Sequence, residues 1–510
     1  MKRLLCAFSA IFIILIISSC NNREELLYVD DISTEKVYNN STEVFVSKEE
    51  GLEVANDFFE KLTNGANSSL KGNKTRSNEI SSIETIGKDN KPLMYVINYT
   101  DRGFVVVSAT KDYYPIIAYS DESNLDISKG IPGLDAWIEE AKTQIEESSE
   151  KSDSVKTQIR NLWEKESISS NQTKNDITRS GSLTDADIAC YMRCEDLLNQ
   201  YGYEGDQGWH FVPLSDARQV FEEKGFSGIY QNLCYSAEFN HSLASNSVLG
   251  YKICTTKRKV GPLIKTNWHQ NSPFNNYCNG SPAGCGAIAV AQVVYYHQYP
   301  QLYTYNGISF EINSIPKESN ANSPQGLFVR MIADYIGTHF TSGYSYTTPG
   351  GIEDGMKMIG YDVSTGDEDE WMRVNNELFS GKNPIIMLGN EDNLSFLPGA
   401  LQYIGDSHYW ICDGADETTF NVLFLFTEWQ PYGKGQFVPG WNSIDDPYTF
   451  GGSVGYEYFH INWGWGGSSN GWFGDVSNSK NGSYDYNDQN NTNHGHYEHS
   501  RKNFYIKVKR

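Results

Sequence analysis

Apolar and polar positions divide the chain into segments of distinct period. Residues 21 to about 45 are polar and read as a tether. Ser47 then stands three positions before Glu50, a capping box, and Leu52, Ala55, Phe59 and Leu62 follow at helical spacing, which predicts a helix with one buried face. A polar stretch, Asn64 to Asn78, separates it from three strand-like runs: Leu93 to Tyr99, Gly103 to Ser108 and Tyr114 to Tyr119. Pro132 and Gly133 open a second amphipathic helix carrying Leu134, Trp137, Ile138, Ala141 and Ile145. These elements make one small α+β unit, with its tether, over 21–150. Residues 147 to 182 are charged and rich in Ser, Asn and Thr, as linkers are. The segment 183–256 holds four cysteines and no motif with a chemical reading. From Val260 the density of Trp, Gly and Tyr rises. The division that follows is a leader over 1–20, tether and α+β unit over 21–150, linker and cysteine-containing segment over 151–257, and a C-terminal domain over 258–510.

The leader narrows the location. Lys2 and Arg3 precede the apolar run Leu4 to Ile17, which meets Ser18, Ser19 and Cys20. That is the layout of a secretory signal, too short and too near the terminus for a permanent membrane helix. Small residues closing on a cysteine predict a lipoprotein-type signal with Cys20 lipidated; the alternative is a plain secretory signal. Both export the protein across the inner membrane, and the first leaves a bacterial lipoprotein at the outer membrane or cell surface, touching the membrane only through its lipid. The formal charge of -23 excludes the basic surface that nucleic-acid binding needs. With 510 residues, 39% hydrophobic and 13% aromatic, the chain has material for more than one core. Of nine cysteines, Cys6 and Cys20 belong to the leader, leaving Cys190, Cys194, Cys234, Cys254, Cys278, Cys285 and Cys412. An odd number leaves at least one thiol unpaired, and outside the cell such a thiol is a candidate nucleophile.

Three windows carry that chemistry. Gly284-Cys285-Gly286 opens a run of small and apolar residues that continues to Pro300, predicting a helix buried on nearly every side. Cys285 at its start sits where the helix dipole and unpaired amides favour a thiolate and can receive an oxyanion. A thiol nucleophile needs a base beside it. In the second window, Asp406-Ser407-His408-Tyr409-Trp410-Ile411-Cys412, alternation marks a strand, ended by the turn pair Asp413-Gly414 with His408 at its beginning. In the third, Tyr458 to Gly467, a strand antiparallel to the second runs into a glycine turn; Asn462 there is positioned to accept from the far nitrogen of His408, and Trp463 to shield that bond. His460 is the weaker rival base. His494, His496 and His499 fall in an Asn/Gly-rich stretch and read as a polar loop rather than a metal site.

With these windows in order, the chain resembles the streptopain family of papain-like cysteine proteases. The resemblance runs from about 262 to 510 through Asn267-Trp268-His269-Gln270, Ser272 to Cys278, Gly284-Cys285 with Ala289, Ala291 and Gln292, Tyr296 to Pro300, Pro384-Ile385-Ile386, His408 with Asp413-Gly414, and Asn462 to Gly467. The unit at 21–150 is similar to the family's prodomain, through the first helix, Tyr95 to Asn98, Gly103 to Ala109 and Pro115 to Ser120. The resemblance implies a papain-like α+β domain, a helix with the nucleophile on an antiparallel sheet, behind a small α+β prodomain that inhibits until cut. It makes Cys285 the nucleophile, His408 the base, Asn462 its orienter, Trp463 the aromatic beside it, and Gln270 a second oxyanion donor. No cofactor or metal is implied; the partners are protein or peptide substrates and the chain's own prodomain. Lys257-Arg258-Lys259 is the expected nick site. Two departures stand out, the segment 183–256 and an insert of about Glu417 to Gly455 between the second and third windows. The resulting expectation is an endopeptidase acting through a thioester. The alternatives are a binding lipoprotein on the same fold and a transpeptidase passing the acyl group to an amine.

Overall fold

The computed structural model describes residues 44–67, 78–163 (apart from 152, 154, 155, 158 and 161), 209–223, 230, 248–320, 324–366, 371–390, 407–432, 436–441, 448–450, 455–474 and 499–509. The leader with Cys20, the tether before 44, Cys190, Cys194, Cys234, Asp406, His494 and His496 lie outside these residues.

The N-terminal unit starts with α1 (Lys48–Asn67), where the Ser47 hydroxyl accepts from Glu50 N at 3.1 Å, the expected capping contact. Its Val54, Ala55 and Phe59 are buried against an antiparallel meander of β1 (Ile80–Lys88), β2 (Lys91–Tyr99), β3 (Phe104–Ser108) and β4 (Ile116–Ser120). Three of these strands were expected. The additional one, β1, is half-buried, with its isoleucines at every third position and polar residues between, and it joins β2 through Asp89 and Asn90, both at positive φ as a tight hairpin turn requires. Pro132 at the first turn begins α2 (Pro132–Glu147), which buries Leu134, Ile138, Ala141 and Ile145. The packed unit extends into what the composition marks as linker. Ile159, Leu162 and Trp163, spaced to share one helix face, are buried, and Trp163 Nε1 donates to Tyr113 O at 2.8 Å.

The segment without a motif supplies β5 (Trp209–Pro213), α3 (Leu214–Glu223) and β6 (Val248–Val260). Then come α4 (Cys285–His297), the hairpin β7 (Leu302–Tyr305) and β8 (Ile308–Glu311), α5 (Gln325–Tyr335), the hairpin β9 (His339–Phe340) and β10 (Ser345–Tyr346), and α6 (Pro349–Ile359). The remaining strands are β11 (Tyr361–Gly366), β12 (Ile385–Asn390), β13 (Ser407–Tyr432), β14 (Gln436–Trp441), β15 (Tyr448–Phe450), β16 (Gly455–Asn462), β17 (Gly471–Gly474) and β18 (His499–Val508). They form a sheet in the order β1-β2-β3-β4-β17-β16-β13-β12-β18-β11, with β6, β14 and β15 also paired to β13, and β5 to β6. The N-terminal unit is thus continuous with the C-terminal domain: Tyr119 of β4 lies opposite Trp472 of β17, and Ala118 opposite Phe473.

Alternation along β13 separates two cores. Tyr409 and Ile411 face α4, α5 and α6, in a core with Ile288, Phe328, Ile352 and Phe504. Trp410 and Cys412 face the other way, in a core with Leu134, Trp137, Ile138 and Phe473. This is the expected α+β arrangement, a buried helix on an antiparallel sheet.

Two expectations are corrected. Asp413-Gly414 does not end the strand: β13 runs on to Tyr432, and the pair forms a register shift opposite β16. Asp413 is fully buried there, accepting from Ile264 N at 2.7 Å and from His460 Nδ1 at 2.6 Å, so its polarity serves the interior rather than a turn. The run Lys257-Arg258-Lys259 is no open nick site either. It lies within β6, paired along β13, with Arg258 on Glu417 at 2.5 Å and Lys259 on Asp416 at 2.7 Å. The two departures noted in the sequence therefore pair with each other, and a domain boundary at 258 would cut through a strand.

Candidate active site

Cys285 is the first residue of α4. Gly284 before it has φ +94, a conformation that glycine adopts without strain, and this turns the chain sharply into the helix. The thiol is half-buried, and desolvation pushes its pKa up. The backbone N–H groups of Tyr409, Gly286 and Cys285 itself work against that by favouring the thiolate. Tyr409 directly follows His408, so the second window is brought to the nucleophile by its backbone. Gly286 permits the approach: a β-carbon there would lie 3.2 Å from Thr347 Cβ and 3.4 Å from the Tyr409 ring.

His408 is 3% exposed, and burial pushes its pKa down to about 4. Its Nε2 lies 3.0 Å from the carbonyl oxygen of Trp463. A carbonyl only accepts, so Nε2 carries the proton and Nδ1 is left as the basic nitrogen. The expected orienter, Asn462, does something else. Its Nδ2 donates to Thr266 O at 3.1 Å and to Gln292 Oε1 at 3.4 Å, and its Oδ1 accepts from Gly464 N at 3.0 Å. The third window orients His408 through main chain, one residue beyond the side chain singled out. Trp463 is buried, its Nε1 donating to Ser469 O at 3.0 Å.

Gln270 is half-buried on the loop that precedes α4, where its carbonyl accepts from Ala283 N at 2.9 Å. The same loop meets the third window: Gly466 N donates to Trp268 O at 3.2 Å, and His269 bridges Trp465. All five candidates thus belong to segments that converge. His460 does not join them: it is held in the sheet by Asp413 and stacks edge-on against Trp472. Cys278, Cys285 and Cys412 are free thiols, and no cluster of metal-ligating side chains occurs among the described residues.

The residue that sequence reasoning passed over is Gly133. A β-carbon on it would stand 2.5 Å from Trp463 Cζ3 and 3.3 Å from His408 Cδ2, so the first turn of α2 is seated directly on the imidazole. The only sign in the sequence is the Pro132-Gly133 pair, which reads equally well as a plain helix start. In this closed form Cys285 Sγ and His408 are not hydrogen-bonded to each other.

Residues 43–145 match the Spi protease inhibitor family, and residues 268–342 match the Peptidase C10 family. An inhibitor-like segment thus precedes a segment similar to C10 cysteine peptidases, the order of a zymogen. No curated protein matches the sequence. Among solved structures, a prointerpain A fragment from Prevotella intermedia, a cysteine-to-alanine mutant, aligns over 83% of this chain and 97% of its own with 12% identity and a TM-score of 0.39. The inhibitor-type match covers α1 to most of α2, the unit that seats Gly133 against His408, and the peptidase match covers the nucleophile helix and the loops on either side of it.

Proposed function

We propose that the protein is an exported cysteine endopeptidase, held as a zymogen, that cleaves protein or peptide substrates with Cys285 as nucleophile and His408 as base. The observation that carries this reading is the placement of Gly133. An inhibitor segment that covers one buried histidine, on the strand whose next amide reaches a helix-terminal thiol, supports reading that histidine and that thiol as the working pair.

Once the prodomain leaves, water reaches His408 and the cost of charging it falls. Nδ1 takes the Cys285 proton while Nε2–H stays on the Trp463 carbonyl. The thiolate adds to the substrate carbonyl, and the oxyanion is received by the Cys285 amide with the Gln270 side chain as second donor. The imidazolium then protonates the departing amine, leaving a thioester that water hydrolyses, with His408 again taking the proton. The reaction asks for a reduced thiol and no cofactor. The charged start, apolar run and Ser-Ser-Cys end of residues 1–20 support export with a lipid anchor at Cys20.

Casein hydrolysis by the matured full chain tests the reading, with Cys285→Ala and His408→Ala alongside and reductant present or absent. Activity that requires both residues and reductant is the expected result. Hydrolysis that survives Cys285→Ala, or none from the matured wild type, would overturn it.

A further inference from the structure

The face of α4 that starts with Cys285 continues through Ile288 to Gln292, three and seven positions on and so stacked along one side of the helix. The turn carrying the Trp463 carbonyl lies on this face: a β-carbon on Gly464 would be 3.6 Å from Ile288 Cγ2, and Gly464 has φ +77, which favours glycine. Gln292 is completely buried. Its Oε1 accepts from Thr266 Oγ1 at 2.9 Å, Trp268 N at 3.3 Å and Asn462 Nδ2 at 3.4 Å. Its Nε2 is buried with no hydrogen-bond partner. Three donors converge on one oxygen, so the amide orientation is set, and the site requires an acceptor and not an amide as such.

We propose that Gln292 is a positioning residue: its side-chain oxygen fastens Asn462 and the loop before the nucleophile to the Cys285 helix, and thereby holds the Trp463 carbonyl where it receives Nε2–H of His408. Asn462 passes the constraint on, since it bonds Gln292 through Nδ2 and the following turn, at Gly464 N, through Oδ1. Both hydrogen bonds bracket the Trp463 carbonyl. The buried amide of the nucleophile helix and the third window are thus parts of one device, which rests on the Cys285–His408 reading above. A carbonyl that drifts from Nε2 stabilises the imidazolium less. The thiolate–imidazolium pair then persists over a narrower pH range, losing its alkaline side as His408 gives up its proton sooner.

The test is inactivation of the matured full-length enzyme by iodoacetate, an anion drawn to the thiolate while the imidazolium beside it is charged, followed from about pH 4 to pH 9. Any variant that fails to process itself is matured by a trace of wild type. Gln292→Met, which keeps volume and removes the acceptor, is expected to lower the rate roughly tenfold at the alkaline shoulder, a displacement of one pH unit on that limb. Gln292→Glu retains an acceptor oxygen and is expected to keep the wild-type profile. If Gln292→Met does not fold, Asn462→Asp takes its place: it keeps the acceptor for Gly464 N, loses both donated bonds, and is expected to narrow the profile in the same way. Val293→Ala, buried in the same helix but outside the network, controls for general loosening and is expected to lower Tm without moving the profile. An unchanged profile in Gln292→Met, equal narrowing in Gln292→Met and Gln292→Glu, or equal narrowing in Val293→Ala would each overturn the proposal. A wild type with no thiol reactivity after maturation would sink the Cys285–His408 reading itself, which separates the two failures.

Discussion

Gly133 of the N-terminal unit lies against His408 with Trp463 beside it: a β-carbon there would stand 3.3 Å from His408 Cδ2 and 2.5 Å from Trp463 Cζ3, so a hydrogen fits where a methyl group does not. A carbon forced to 2.5 Å from the Trp463 ring is far inside the optimum of about 3.5–4.0 Å. Gly133→Val is therefore expected to lift the start of α2 and yield a zymogen that leaks. Its basal hydrolysis of a fluorogenic peptide, measured before any cleavage of the chain, should rise at least tenfold over wild type. A variant as silent as wild type would show that the closure lies elsewhere.

The same contact makes closure sensitive to pH. In the closed form burial holds the His408 pKa at about 4, while a hydrated imidazole titrates at about 6.5. The closed form therefore binds fewer protons than the open one. Its advantage from this group is complete above about pH 6.5 and is lost progressively as the pH falls toward 4, to a total of about 3 kcal/mol at most. Protease sensitivity of the prodomain, measured on Cys285→Ala to prevent self-digestion, is expected to increase as pH falls from 7 to 5. Adding His408→Gln should flatten that dependence. An equally steep profile in the double variant would assign it to other groups.

A polar clasp holds the prodomain at the other end of the shared edge. Tyr119 donates its phenol to Asp416 at 2.7 Å, Lys259 reaches the same carboxylate oxygen at 2.7 Å, and the ammonium also sits 3.9 Å over the Trp472 ring. Burial and the neighbouring carboxylate hold the phenol well above its ordinary pKa, so it remains a donor throughout the working range. Tyr119→Phe removes two hydrogen bonds to charged groups, the one donated to Asp416 and the one accepted from Lys259 at 3.0 Å, of which the first alone is worth about 1.5–3 kcal/mol. After the chain is cut, the prodomain should leave this variant at least tenfold faster, read as a shortened lag before peptidase activity. An unchanged lag would mean that β4–β17 pairing alone sets the departure rate.

The pairing of β6 with β13 bears on maturation. A cut at Lys257, Arg258 or Lys259 would have to be made within a strand hydrogen-bonded along β13 and tied by two ion pairs. The mature enzyme is expected to retain residues 209–260 covalently, which intact mass and N-terminal sequencing will read. A mature chain beginning at Val260 would contradict this.

Much of the fold was legible because its signals are local. The Ser47–Glu50 cap, the Pro132 helix start and the small-residue run after Cys285 each specify an element within a few residues, and the structure contains all three. What escaped depends on partners distant in the chain. Asp413-Gly414 has the composition of a turn, yet Ile264 N and His460 recruit the carboxylate into the interior and the strand continues. Asn462 was expected to orient His408, but an amide is able to serve any neighbour, and Gln292 and Thr266 reach it while His408 does not. The acceptor for His408 is a backbone carbonyl, which every residue possesses and no sequence pattern marks. Gly133 acts through the hydrogen it has in place of a side chain, which composition registers only as flexibility.

The most direct test of the central claim is the alkylation rate of Cys285 before and after the prodomain is removed. Iodoacetamide labelling at neutral pH is read by mass spectrometry, with peptidase activity followed in the same samples. The account predicts slow labelling of the intact zymogen, where the thiol is desolvated and His408 is held neutral beneath Gly133. After removal it predicts labelling faster by a hundredfold or more, with activity lost in proportion to Cys285 modified. Equal labelling rates in the two forms, or activity that outlasts complete modification of Cys285, would contradict it.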